Sequence, residues 1–246
     1  FTPDALKSIK EAGKQAGIEI PVHVHLMVME GQILEEEMLE DYISAGADSI
    51  TLHWEGYKDH DKLLNELIFI EGRSQGRTQP RLAINPSVDR EAVIEFLKHH
   101  QEHVPRILQM SVWPGLGGQK FIPEVLDQMK EITEKSWYKG SWDIDGGINE
   151  ETALQVLDSG LPVAEMIAGT AVFGNEKKDG PKEGPALRDA IAKLLPAAPR
   201  AEVRGELLNN ALIQHAFRQV GRFERNRMWV EKFLAMEKTD ALAREI

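Results

Sequence analysis

The chain has 246 residues, 42% hydrophobic and 28% charged, enough for one large α/β domain or two small ones around a sizeable core. Its formal net charge of −11 argues against general attraction to nucleic acid or acidic membranes. The absence of cysteine removes any disulfide framework or thiolate chemistry. No apolar run reaches the ~18 residues of a membrane span and no signal-peptide pattern opens the chain, so the expectation is a soluble, cytoplasmic protein.

In chain order, strand-like and helix-like segments alternate. Val22–Val28 (VHVHLMV) is short, β-branched and apolar, and Ile33–Ala45 then reads as a helix. Asp48–His53 is strand-like and precedes a helix over Asp61–Glu71. Arg81–Ile84 leads into NPSVDREAVIEFLKHH, where Ser87 or Asp89 would cap the next helix. Ile107–Val112 breaks into PGLGGQ before a helix over Pro123–Lys135. Trp142–Ile144 precedes DGGINEETALQVLDSG, a tight turn and then a helix ending at Gly160. Met166–Ala168 precedes GTAVFGN, and Pro185–Leu195 is the last helix of the series.

Six strands, each followed by a helix, imply a parallel sheet with helical crossovers. A doubly wound open sheet and a (β/α)8 barrel both fit that pattern. In either, ligands collect at the carboxyl ends of the strands, where His25, His53–Glu55, Asn85, Gly115–Gln119, Asp145–Gly147 and Gly169–Thr170 fall. After Leu195 the composition changes. PAAPR resembles a linker, and residues from Arg200 onward carry nine basic and seven acidic side chains, against 20 and 33 in the body. The expected division is a barrel over residues 1–196 and a C-terminal helical extension over 197–246, the latter read as a docking or oligomerisation element.

Several strand-end residues could carry chemistry. DGGI (Asp145–Ile148) and AGTAVFG (Ala168–Gly174) each end a strand and open a helix, an arrangement suited to binding phosphate or simply to turning tightly. His25 and Met27 share a strand face with His23. Asp145, a carboxylate at a strand end before two glycines, needs hydrogen bonds or a cation if it is buried. A His and an Asp at strand ends make half of a divalent-metal site. His53 and Glu55 either add ligands or hydrogen-bond each other across the rim, and Met110 fills core or shields the site from water.

Together, VHVHLMV, GADSITLHWE, LAINPS, LQMSVWPGLGGQKFIPEVLDQM, DIDGGINEETA and IAGTAVFG resemble, in order and spacing, the ribulose-phosphate 3-epimerase family from about Phe1 to Leu195. The resemblance implies a (β/α)8 TIM barrel. It implies metal-dependent epimerisation of a ketopentose 5-phosphate at C3, D-ribulose 5-phosphate to D-xylulose 5-phosphate, by two acid/base carboxylates through an enediolate. It casts His25 as a metal ligand and Asp145 as both ligand and acid/base residue. One divalent ion (Zn, Fe, Mn or Co) is the implied cofactor. Gly117, Gly118, Gly147, Gly169 and Thr170 would line the phosphate site, and Met27 and Met110 would form the water-poor active-site floor around the enediolate. PGLGGQ resembles the loop that closes over the substrate. The expected partners are a sugar phosphate and further copies of the chain, met through the C-terminal helices, with neither nucleic acid nor membrane.

The sequence also departs from the family. The family's first strand, with a serine, and its second, with His-x-Asp and then Met-Asp-Gly, are not in this sequence, whose opening FTPDALKSIKEAG matches the segment just after the second strand. The expectation is therefore a barrel whose first two strands lie outside this chain. Trp113, Leu116 and Met29–Gln32 also differ from the usual pattern. The competing readings are a non-catalytic barrel used for binding or assembly, an epimerase of another ketose phosphate, and a phosphate-binding aldolase or synthase. The last is disfavoured because no lysine sits at a strand end.

Overall fold

Strands in which apolar and polar residues alternate can bury both faces only if each face meets a different environment. The structure, a computed structural model, describes residues 2–15, 17, 19–27, 36–114 and 118–174, with single positions at 182, 186, 189, 190 and 194. Six parallel strands lie side by side in sequence order: β1 (His23–Leu26), β2 (Ser49–His53), β3 (Gln79–Ile84), β4 (Arg106–Met110), β5 (Ser141–Asp145) and β6 (Val163–Ile167). The helices are α1 (Pro3–Gln15), α2 (Glu36–Ser44), α3 (His60–Ser74), α4 (Arg90–His100), α5 (Val125–Thr133), α6 (Glu150–Asp158) and the short α7 (Thr170–Phe173). All six expected strands are present, displaced by a few residues at their ends. The last expected helix is represented only by single positions, and the extension 197–246 lies outside the described residues.

Helix starts follow local side-chain chemistry. Asp59 caps α3 by accepting from the Asp61 N–H. Of the two capping candidates for α4, Asp89 performs the role, accepting from the Ala92 N–H at 3.2 Å. Asn149 and Thr152 cap each other's backbone at the start of α6.

One strand face is apolar. Val24, Leu26, Ile50, Leu52, Leu82, Ile84, Ile107, Trp142 and Ile144 join the main core with helix residues such as Leu39, Leu63, Leu67, Val93, Leu97 and Met129. The opposite face is largely polar, and it curls on itself. Arg81 of β3 donates to Asp143 of β5 at 2.8 Å and to Glu165 of β6 at 3.0 Å. Arg106 reaches Glu165 at 2.6 Å, and His23 of β1 lies 3.6 Å from Glu165. A flat sheet cannot bring its first strand to its sixth, so these contacts define the curved wall of a barrel. Among the described residues β1 and β6 pair with no further strand, and the fold is that of a (β/α) barrel. Burial pushes the Asp143 carboxyl up to about 6 despite the Arg81 guanidinium beside it.

Below the sheet, Asp48 joins three elements. Its carboxylate takes the Lys10 ammonium from α1 and the Val22 N–H at 2.6 Å ahead of β1, while its carbonyl accepts the Gln79 N–H that begins β3. Burial raises this carboxyl, but the lysine and the amide outweigh it and hold the pKa below 3.8. A folded pKa below the unfolded one gives stability that is complete well above 3.8 and is lost as the pH falls from there through the lower folded pKa. Asp48→Ala is therefore expected to cost about 1–2 kcal/mol in urea unfolding at pH 7. The difference from wild type should shrink below pH 4; an unchanged midpoint at pH 7 would refute the role.

Candidate active site

The carboxyl ends of β1, β2 and β5 bring together residues far apart in sequence. His25 on β1 and Asp145 at the end of β5 approach to 3.8 Å, Nδ1 to Oδ2. His53 at the end of β2 places Nε2 2.7 Å from Nε2 of His25. The two ring planes lie within 10° of each other with centroids 4.8 Å apart. That separation exceeds the nitrogen distance by about two ring radii, so the rings meet edge to edge in the geometry of an N–H···N hydrogen bond. On the far side of His53, Nδ1 faces Oε2 of Glu55 at 3.6 Å. Of the two roles the sequence left open for this pair, ligation or a mutual hydrogen bond, the bond is not formed: the two face each other just beyond bonding distance. The Glu55 carboxylate is held instead by the Asn85 N–H, which donates to Oε1 at 2.7 Å.

Burial dominates the electrostatics. It lowers His25 well below 6.5, with His53 adding to the effect, so the ring is neutral. It pushes Asp145 up to about 6, with His53 pulling in the opposite direction. A carboxyl that titrates near neutrality suits proton transfer.

Asp145 owes its position to its neighbours. Ser111, just past β4, donates from Oγ to the carbonyls of Asp145 (2.9 Å) and Gly146 (2.7 Å), and its N–H donates to the Asp145 carbonyl at 2.7 Å. Met110 stands beside Asp145 in register and is buried with Ala83 and Leu108 in a small apolar patch on the inner face. Within it Ala83 stands in register with His53 and Leu108 with Asp143. Met27 follows β1 and is half-buried.

The glycine turns have local reasons of their own. Gly147 adopts φ +64°, and a Cβ there would lie 2.6 Å from the Phe121 nitrogen and 2.8 Å from its Cα. The residue permits a turn and also a close backbone approach. Gly146, placed at a strand end by the sequence but given no part in the phosphate site, has φ +118° with Val112 against it. Gly118 has φ +78°, Gly117 lies outside the described residues, and Gly169 precedes α7 with open space where a Cβ would be. Gly169 and Thr170 follow β6, the strand next to Asp145 and Gly147, so the two turns sit at adjacent strand ends.

Sequence reasoning overlooked Ser111 and the charged layer of Arg81, Arg106, Asp143 and Glu165. The available signal was a charge inside an otherwise apolar strand, as in PRLAI and WDID. As a test of metal fit, His25 and Asp145 supply a neutral nitrogen and a carboxylate within reach of a shared cation, the donor types a divalent transition ion takes. They form a pair, since no group of three or more such side chains able to hold a metal occurs among the described residues.

Gly147→Ala should destabilise the fold by about 1–3 kcal/mol through its left-handed backbone and the clash with Phe121. Gly169→Ala, at a negative φ with free space, should fall within the ±0.5 kcal/mol or so of a surface change. Equal unfolding midpoints for the two variants would remove the distinction.

Comparison with known proteins bears directly on this arrangement. The model of the Ribulose-phosphate 3 epimerase family matches residues 1–173. Ribulose-phosphate 3-epimerase of Escherichia coli (strain K12) is 31% identical over 195 residues, covering 78% of this chain and 77% of that protein. The enzyme of the same name from Bacillus subtilis (strain 168) is 31% identical over 164 residues, 65% of this chain and 68% of the relative. Among solved structures, 3-hexulose-6-phosphate synthase from Salmonella typhimurium superposes with a TM-score of 0.51 at 19% identity, covering 78% of this chain and 79% of that one. KGPDC from Streptococcus mutans gives 0.51 at 12% identity over 77% and 76%. These structural likenesses speak to the fold alone. The family match and the sequence relatives carry the assignment: this chain belongs to the ribulose-phosphate 3-epimerase family.

Proposed function

We propose that the protein epimerises a ketopentose 5-phosphate at C3, interconverting D-ribulose 5-phosphate and D-xylulose 5-phosphate, as the names of its relatives suggest. The observation that carries this reading is Asp145. Its carboxyl stands at a strand end on the curved inner wall, is raised to about 6, and lies beside a neutral imidazole. In the ionised form Asp145 takes the proton from C3. The C–H electron pair moves into the C2–C3 bond, and the ketone oxygen becomes the negative end of an enediolate. Return of a proton to the opposite face of C3 completes inversion. The resemblance gives that step to an aspartate on a strand this sequence does not contain, so Asp145 is the acid/base group supplied by the chain's own residues.

His25 and Asp145 would hold a divalent ion, which when bound supplies positive charge against the developing oxyanion. Gly147, Gly169 and Thr170 support a phosphate site at the two adjacent strand ends, with Gly117 and Gly118, from the loop after β4, assigned there by the resemblance. Met110, and Met27 at the rim, keep water from the reacting carbons.

Asp145→Asn keeps the shape and removes the base. In the full-length protein it should lower kcat for ribulose 5-phosphate by at least about 10²-fold, in line with the worth of a positioned acid/base group. Substantial residual epimerisation, with circular dichroism unchanged, would defeat the assignment. For the metal, elemental analysis of the purified protein should give one divalent ion per chain, and His25→Ala should lose it. Full turnover after exhaustive chelation would end the metal reading. A second reading, a barrel that binds a sugar phosphate without turning it over, draws on the two-donor set noted among the described residues. Binding of ribulose 5-phosphate without epimerisation by the wild-type protein would favour it.

A further inference from the structure

We propose that Glu55 and His53 are positioning residues that fix His25 in one tautomer, with its hydrogen on Nε2 and its Nδ1 lone pair turned toward Asp145. The catalytic consequence rests on the reading of Asp145 given above, whereas the tautomer assignment stands without it.

The assignment follows the hydrogens along a row of four side chains. Between two imidazoles whose Nε2 atoms are 2.7 Å apart, one nitrogen brings the hydrogen and the other the lone pair. Two arrangements with a single hydrogen on each ring satisfy that bond. In the first, His53 donates, which leaves its Nδ1 as a lone pair facing Glu55. In the second, His25 donates, and the His53 hydrogen sits on Nδ1, aimed at Glu55. The carboxylate decides between them. Oε1 is occupied by the Asn85 N–H at 2.7 Å, so Oε2 is the atom left facing His53 Nδ1, 3.6 Å away. Neither His53 Nδ1 nor Glu55 Oε2 has another hydrogen-bond partner, and both are sealed from solvent. A lone pair facing a carboxylate in a site 2% exposed would be repulsive, whereas an N–H facing it is attractive. Glu55 therefore selects the second arrangement.

The result propagates across the barrel. With Nε2 committed to His53, His25 presents the Nδ1 lone pair to Oδ2 of Asp145 at 3.8 Å. That is the state required either to accept a hydrogen from protonated Asp145 or to share a cation with it. A carboxylate behind an imidazole that serves a second group is a recurrent way of setting ring orientation and basicity. Here it acts through a second ring, from β2 to β1 to β5.

The test is ¹⁵N NMR of the histidine rings in the full-length protein, comparing wild type with Glu55→Gln. In wild type, His25 should carry its hydrogen on Nε2 and His53 on Nδ1. In Glu55→Gln the Asn85 N–H can be accepted only by the amide oxygen, so the amide NH2 must turn to His53 Nδ1. That should reverse both tautomers while leaving unfolding near the wild-type midpoint. For epimerisation of ribulose 5-phosphate, kcat of Glu55→Gln should fall roughly ten- to a hundredfold. KM should stay within about twofold, because Glu55 faces His53 rather than the phosphate turns.

A wild-type His25 with its hydrogen on Nδ1, a doubly protonated His53, or a Glu55→Gln protein with unreversed tautomers would each overturn the proposal. The wild-type spectrum decides even if the variant does not fold. Reversed tautomers with unchanged kcat would overturn the catalytic half. The expected tautomers in a wild-type protein that does not epimerise ribulose 5-phosphate would instead count against the function and leave the tautomer assignment standing.

Discussion

Arg81 lies within the inner face of the sheet, 6% exposed, and cannot remain charged there without carboxylates to meet it. Its own strand offers none. Asp143 and Glu165 come from β5 and β6, and they reach Arg81 only because the sheet curves. The charge pairs and the curvature therefore require one another. Removing a single partner from a buried pair of this kind typically costs about 3–5 kcal/mol, because a stranded charge remains. The layer shares the inner face with the apolar patch of Ala83, Leu108 and Met110.

Toward the carboxyl ends of the strands the same inner face is built differently. The lower layer matches two guanidiniums with two carboxylates. The upper layer has two imidazoles in contact, a carboxyl raised to about 6, and buried polar atoms without partners at His53, Glu55 and Asn85. A structure selected for stability alone would not leave such groups unsatisfied beside one another. The difference between a paired lower layer and an unpaired upper one marks the carboxyl end of the strands as the working end, as expected for a barrel of this family.

Two kinds of glycine serve that end. Gly146 and Gly147 are dictated by backbone angle and by contact with Val112 and Phe121, so their explanation is local. Gly169 is under neither constraint, which leaves open space above a strand end as its physical meaning. The Ser111 hydroxyl, bridging the carbonyls of Asp145 and Gly146, makes the turn that carries the acid/base candidate part of the rigid wall.

Much was readable from the residues in order. The alternation of strand and helix, the capping by Asp89, the placing of Asp145 and His25 at strand ends, and family membership all depend on local pattern or on motif spacing, which a linear sequence carries in full. Three things were not readable. The choice between a doubly wound sheet and a barrel came from resemblance, because period-two and period-3.6 patterns do not encode how a sheet curves. The charged layer of Arg81, Arg106, Asp143 and Glu165 spans 84 positions between its first and last members, and each residue taken alone is simply a charge in a strand. The direction of His53 was undecided between ligand and rim hydrogen bond. The sequence by itself therefore determined which residues stand at the strand ends and which family the chain resembles. Only the tertiary structure decided which of them meet: side chains on parallel strands come into contact through the curvature of the whole sheet, a property that no single segment possesses.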